Sequence, residues 1–458
     1  MLRIQLPSIL VNEDFTLLMR GRNRLIVKRS DNRPQSNECL LRVTFRSESP
    51  QVAQRSTSGP WGVVKILNRN AKALAPLILF AILSGCKVTK EKPVKSEPTD
   101  PTSTAPVGTS APPPATTAAP SPSLFGEVAI ASEFDINSEL ISAPIPASAA
   151  PDVVGAFRFI CTAGQLLKDD PIVYPGQAGK SHLHQFYGNT AANASSTYSS
   201  LRKGGQSTCM SPLNRSAYWM PAMMDGKGNV VRPDHIQIYY KRRPKTDPKC
   251  SLTSGDPKAE GNCVDLPNGL KFVFGYDMVT NKTPTGAAYF NCKGSGSTAG
   301  HYSTIAAAVG NCVSGGQLGA VIKAPGCWDG KNLDSPNHRD HVAYADYGST
   351  GVFRCPSTHP YVIPGFTLQA WYTIAPGDDL KLWKLSSDDM RPDLPHGSTF
   401  HADFFMAWDP TIAKMWHDNC INKMLNCAAG VLGNGKMMKQ FAGFEWYASP
   451  RLVAAAAP

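Results

Sequence analysis

Three close pairs of residues in the chain have the types and spacing to do chemistry together. His182 and His184 are one residue apart in SHLHQFYGN (181–189). In an extended strand, residues i and i+2 face the same side, so both imidazoles can reach one metal or one substrate. His338 and His341 close the string CWDGKNLDSPNHRDH (327–341), and an i, i+3 pair meets on one face of a helical turn. His401 and Asp403 form a third i, i+2 pair in FHADF (400–404). Brought together, these six side chains supply a mixed imidazole and carboxylate shell, which suits zinc or another divalent transition metal. Each histidine alone reads more readily as a loop anchor bonded to a carbonyl; the three clusters together weigh evenly between that and a shared site.

Carboxylates narrow the acid–base options. Between residues 153 and 458 the only glutamates are Glu260 and Glu445, so a two-glutamate glycosidase site is disfavoured. Acid and base roles fall to Asp329, Asp334 and Asp403, or to histidine, whose ordinary pKa near 6.5 suits proton transfer around neutrality. Asp329-Gly330 and Asp334-Ser335-Pro336 also read as ordinary turns. No G-x-S-x-G elbow and no H-E-x-x-H occurs, and the glycines of GQAGKS (176–181) are too close together for a phosphate loop. Tyr187, Tyr218, Trp219, Tyr239, Tyr240, Trp328, Trp371, Tyr372, Trp408 and Trp416 offer stacking surfaces for sugars, though most such rings belong to cores.

The elements that must position these groups are strands. Short runs rich in Val, Ile, Tyr and Phe (Ile236–Tyr240, Leu270–Phe274, Gly319–Ile322, Leu368–Ile374) lie between Gly, Pro, Asn and Ser punctuation. Helical periodicity is clear only over Thr411–Cys427. The expectation is a mainly β protein: a single disulfide-rich β-sandwich or jelly-roll-like domain with long loops and a few helices. Ten of the twelve cysteines (Cys161, Cys209, Cys250, Cys263, Cys292, Cys312, Cys327, Cys355, Cys420, Cys427) fall in this region. An even number without a C-x-x-C pair points to disulfides, not zinc, in an oxidising compartment. Their pairing stays open. Seven residues of helix would separate Cys420 from Cys427 by about 10 Å, so these two are expected to bond elsewhere.

The N-terminal part reads as export machinery. Of the net charge of +11, most lies in residues 1–85, which hold 13 Lys+Arg against 5 Asp+Glu. That distribution argues against a nucleic-acid partner for the remainder. Residues 63–85 have a basic start (Lys65, Arg69, Lys72), a short apolar run (Leu74–Leu83) and a small-residue end, the pattern of a signal peptide. The run is too short to span a bilayer. Leu83-Ser84-Gly85-Cys86 resembles a bacterial lipobox, which implies lipidation at Cys86 and a membrane anchor. Lys87 in place of Asp points to the outer membrane or cell surface. Residues 1–62 are expected to be an extension upstream of the true start, 86–150 a Pro/Thr/Ser/Ala-rich tether, and 153–453 the globular domain.

Several segments, in order, are similar to the DUF1996 family of secreted fungal and bacterial proteins. They are FRFIC (157–161), SHLH (181–184), SAYW (216–219), CWDGKNLDS (327–335) with His338 and His341, CPSTHP (355–360) and HAD (401–403). The resemblance covers roughly residues 155–430. It implies an extracellular domain and makes the histidine pairs family features, but it brings no mechanism. In fungi the domain is often joined to WSC modules, which associates it with carbohydrate; this chain has a lipobox and tether instead. The resulting expectation is a surface-anchored hydrolase acting on polysaccharide. Its site would use His182, His184, His338, His341, His401 and Asp403, with Asp329 and Asp334 nearby. The rival expectations are a non-catalytic carbohydrate-binding or adhesion lipoprotein and an extracellular metal-binding protein.

Overall fold

The computed structural model describes residues 126–348 and 351–455, together with the strand backbone of 15–19, 24–29 and 39–42. The signal-peptide segment and Cys86 lie outside the described residues. The chain divides into two compact units, Met1–Pro112 and Pro113–Pro458. In the first, Phe15–Met19, Arg24–Arg29 and Cys39–Arg42 form a three-stranded antiparallel sheet. Among the described residues, no helix is long and apolar enough to cross a membrane.

The second unit is built on two sheets. Their strands, in chain order, are β1 (Gly155–Cys161), β2 (Leu166–Leu167), β3 (His184–Gly188), β4 (Ala217–Pro221), β5 (His235–Arg242), β6 (Lys271–Gly275), β7 (Ala288–Lys293), β8 (Gln317–Lys323), β9 (Gly365–Thr373), β10 (His401–Phe405) and β11 (Asn426–Cys427). The six-stranded sheet runs β7-β8-β9-β5-β1-β11 and the five-stranded sheet runs β6-β10-β4-β3-β2. All pairings are antiparallel except β11 on β1.

Alternation explains the packing. Along β5, Ile236, Ile238 and Tyr240 are buried while His235, Gln237 and Tyr239 are partly exposed, and β9 repeats the pattern. The buried sets of the two sheets share one core. Phe366 of β9 meets Phe404 of β10 at 4.6 Å between ring centroids and Phe272 of β6 at 6.1 Å. Tyr240 and Tyr218 share a 2.7 Å hydrogen bond across the same interface. A face-to-face sandwich follows, as expected from the sequence. Truncating Phe366 to Ala at this junction should cost about 3–5 kcal/mol.

Residues before Val153 also pack on this unit: Leu140–Ser142 pairs with Lys436–Met438, and Ser132 bonds the Asp409 carboxylate at 2.8 Å. Two expectations are corrected. The predicted helix over Thr411–Cys427 is cut short. Asp409 caps Pro410–Trp416 by accepting from the N–H groups of Thr411 and Ile412, and one wide turn, His417–Ile421, follows. Met424 then takes a left-handed φ of 51° and the chain reverses, so Cys427 enters β11. Cys420 and Cys427, expected to bond elsewhere, are therefore joined to each other with Cα atoms 5.8 Å apart. The other pairs are Cys161–Cys209, Cys250–Cys263, Cys292–Cys312 and Cys327–Cys355.

Candidate metal centre

The five-stranded sheet has a second face, turned away from the shared core. Ala402 and Phe404 of β10 point inward, which leaves His401 and Asp403 on the outer face, as the i, i+2 spacing predicts. On β3, Tyr187 faces the shared core and His184 and Phe186 face outward. β4 lies between these strands: His184 is opposite Pro221, and Trp219 is opposite both Phe186 and Asp403. His401 and His184 thus flank one strand at the same end of the sheet. His182 lies just before β3, not in it, yet its ring still comes to His184.

The three imidazoles converge. Ring centroids are 4.2 Å apart for His182 and His184, 5.1 Å for His182 and His401, and 6.0 Å for His184 and His401. One ligand atom from each lies within 4.8 Å of the other two. Asp170, His184 and Asp403 form an overlapping group at the same spacing.

Hydrogen bonds fix which nitrogen faces inward. His184 Nδ1 is 3.0 Å from the Asp169 carbonyl, and His401 Nδ1 is 2.8 Å from the Thr399 carbonyl. A carbonyl only accepts, so Nδ1 carries the proton in each ring and Nε2 keeps its lone pair for the cluster. The Nε2 atoms of His182 and His184 are buried without a partner, as are both carboxylate oxygens of Asp403. Orphaned polar atoms of this kind are costly unless a cation or water satisfies them.

The electrostatics match a cation site. Burial, with His184 adding to it, pushes His182 down to about 2. Burial also holds His184 and His401 at about 3, so all three are neutral ligands at pH 7. Burial first, then the neighbouring Asp170, raises the Asp403 carboxyl well above its ordinary range. Asp170 is raised by burial too, although its Oδ1 accepts from the N–H groups of Ile172 and Val173. A divalent cation would relieve both carboxyls. Among the described residues, the positive charge of Arg339 acts on both Asp403 and His401. Its Nη1 and Nη2 donate to the carbonyls of Gly275 and Tyr276 at 3.3 and 2.9 Å.

The remaining candidates lie beside the cluster. His341 spends both nitrogens on structure, Nδ1 with Ser335 Oγ at 2.9 Å and Nε2 with the Lys271 carbonyl at 2.9 Å. His338 stands at a left-handed φ of 58°, so the predicted helical turn is absent, and its Nδ1 bonds Asp334 at 2.8 Å. Burial would raise Asp334, but His338 and Lys271 hold it below the usual carboxylate range. Asp334 also lines a groove of about 520 Å³ on this sheet face, with Pro171, Lys271 and Phe405. Asp329 closes a turn by accepting from the N–H groups of Lys331 and Asn332. His182, His184, His401 and Asp403 are thus brought together, and Asp329, Asp334, His338 and His341 are not part of that shell.

Asp170 and Arg339 were missed by the sequence reading. Asp170 sits in KDDP (168–171), which reads as a turn, and Arg339 lies between the two histidines of NHRDH (337–341) without a motif of its own.

The description "Domain of unknown function (DUF1996)" matches residues 170–408, more than half of the chain. The chain belongs to the DUF1996 family. No curated protein and no solved structure matches it. The match opens on Asp170 and closes on Trp408, so this DUF1996 segment contains every residue of the His/Asp cluster, Arg339 included.

Proposed function

We propose that this DUF1996 protein is an exported, lipid-anchored hydrolase that acts on polysaccharide through a divalent metal of the zinc type. The observation that carries the reading is the convergence of His182, His184 and His401, with unpartnered Nε2 atoms on His182 and His184, beside the unpaired buried carboxylate of Asp403. Three neutral imidazoles with a position left open are the donor set of a hydrolytic zinc site, whereas structural sites close all four positions. When bound, the metal would supply Lewis acidity toward water and the scissile bond. With its raised carboxyl relieved by that charge, Asp403 would be placed to accept a proton from water, and Arg339 would steady negative charge that develops near it. Five disulfides support an oxidising location outside the cytoplasm, consistent with the lipobox at Cys86.

The test is release of reducing ends from a panel of polysaccharides by the full chain, purified with its disulfides intact. Activity on one polymer, lost with chelator, restored by zinc and reduced roughly 10²–10⁴-fold in Asp403→Asn, supports the proposal. A zinc-loaded protein inactive on every polymer contradicts it.

One observation favours a second reading. His184 and Asp403 have no solvent exposure and His401 has 6 %. So deep a centre suits a metal held without turnover, which predicts tight binding with no hydrolysis.

A further inference from the structure

The six-stranded sheet also has an outer face, on the opposite side of the sandwich from the metal centre. Its outward residues form a register-aligned grid. One row reads Asn291, Gly319, Trp371, His235 across β7, β8, β9 and β5. The next reads Tyr289, Val321, Gln369, Gln237, Ile160, extending to β1. A further row reads Lys323, Thr367, Tyr239, Arg158. Amides, a hydroxyl and three aromatic rings therefore share one face, half-buried except at Gly319 and Val321, which are buried, and Lys323, which is exposed.

The aromatic rings are held in place. A Cβ at Gly319 would meet the Trp371 ring at 2.6 Å, so the indole lies over the bare backbone of β8. The Arg158 guanidinium lies 4.1 Å from the Tyr239 ring centre, and Lys293 Nζ lies 5.3 Å from that of Trp371. Tyr289 stacks on His301 at 3.8 Å. Trp371 and Tyr239 are four residues out of register on neighbouring strands, which sets them about 14 Å apart. Such spacing suits an extended chain better than a single small molecule.

Positive charge dominates this face, with Asp234 and Asp152 at its margins. The strands β1, β5, β7, β8 and β9 contain no Asp or Glu. Lys241 is neutralised by Asp152 at 3.0 Å. Arg158, Lys293 and Lys323 make no ion pair among the described residues. Asp234, 5 % exposed, accepts from the side chains of Gln317 and Thr373 at one end of the face, and Glu445 lines a cavity of about 530 Å³ with His235, Trp446 and Tyr447. Trp446 and Tyr447 are 41 % and 66 % exposed there.

We propose that this face binds an acidic polysaccharide. Planar rings stack on sugar faces, the Gln, Asn and Thr side chains bond to hydroxyls, and the three unpaired cations meet the carboxylates. A nucleic acid would also answer the cations. The amide and hydroxyl grid favours the polymer richer in hydroxyls.

Affinity electrophoresis of the full chain, with disulfides intact, tests this directly. Gels containing polygalacturonate or alginate should retard the protein, and dextran should not. The retardation should fall with salt. Lys293→Glu with Lys323→Glu, both exposed, should weaken binding at least tenfold with an unchanged melting temperature, and Trp371→Ala should weaken it further. The double variant His182→Ala/His184→Ala should bind as the parent does, which separates this site from the metal centre. Equal retardation by a single-stranded oligonucleotide, no retardation by either uronate, or unchanged binding in the lysine variant overturns the proposal.

Discussion

Asp388 Oδ1 accepts a 2.6 Å hydrogen bond from the hydroxyl of Thr399, whose carbonyl in turn receives the Nδ1–H of His401. Asp388 is 5 % exposed, and its second oxygen holds the N–H groups of Leu385 and Gly397. One carboxylate therefore aims the His401 imidazole of the cluster from two bonds away. Asp388→Asn should lower metal affinity about 10–100-fold in protein that stays folded. Calorimetric zinc titration checks this, and an unchanged affinity would remove Asp388 from the account.

Asp403 behaves as a group waiting for a cation. Both of its oxygens are buried and unpartnered, and its carboxyl is raised by burial and by Asp170. Asp403→Asn should leave the metal-free protein as stable as the parent, or more so, because a buried acid is removed. The same change should weaken metal binding. A large loss of stability without metal would show instead that Asp403 serves the fold.

His417 predicts acid sensitivity. Its Nδ1 donates to the Ala413 carbonyl at 2.7 Å and its Nε2 accepts from the Leu266 N–H at 3.0 Å, so the neutral form is built in. Burial holds it at about 4. Above pH 6.5 neither folded nor unfolded chain is protonated here. As pH falls from 6.5 towards 4 the unfolded chain takes up the proton first, and stability is lost. His417→Gln should flatten that slope by up to about one proton, or about 1.4 kcal/mol per pH unit. Denaturant melts between pH 7 and 4.5 measure it, and parallel slopes in the two proteins would contradict the assignment.

Much of the arrangement was legible because strands repeat every two residues. That period brought His401 and Asp403 to one face, and it outlined β5, β6, β8 and β9. Where the site depends on chain crossings, local pattern was silent. Asp170 arrives from a turn that lies over the sheet, and Arg339 through a segment that runs along the edge of β6, where the Val273 N–H donates to the His338 carbonyl. The same limit misled the reading of Cys420 and Cys427, since a reversal at Met424 leaves no mark in helical periodicity. Of the aromatic residues singled out, Tyr187, Tyr218, Trp219, Tyr240, Trp328, Tyr372, Trp408 and Trp416 are core, at 0–1 % exposure. Only Tyr239 and Trp371 remain partly exposed.

The disulfides should differ in their contributions. Loop closure makes the Cys161–Cys209 bond, 48 residues apart, the stronger constraint on the unfolded chain. On that basis its loss costs about 4 kcal/mol. Cys420–Cys427 closes only seven, for about 2.5 kcal/mol. Paired Cys→Ser variants compared by denaturant midpoint test the order, and equal losses would contradict it.

His182, His184 and His401 are expected to hold a metal. Elemental mass spectrometry of the full chain, purified with disulfides intact and without chelator, tests it beside His182→Ala/His184→Ala. About one equivalent of zinc or another transition metal is expected in the parent and none in the variant. Folded parent protein that contains no metal and takes up none on titration with zinc would contradict it.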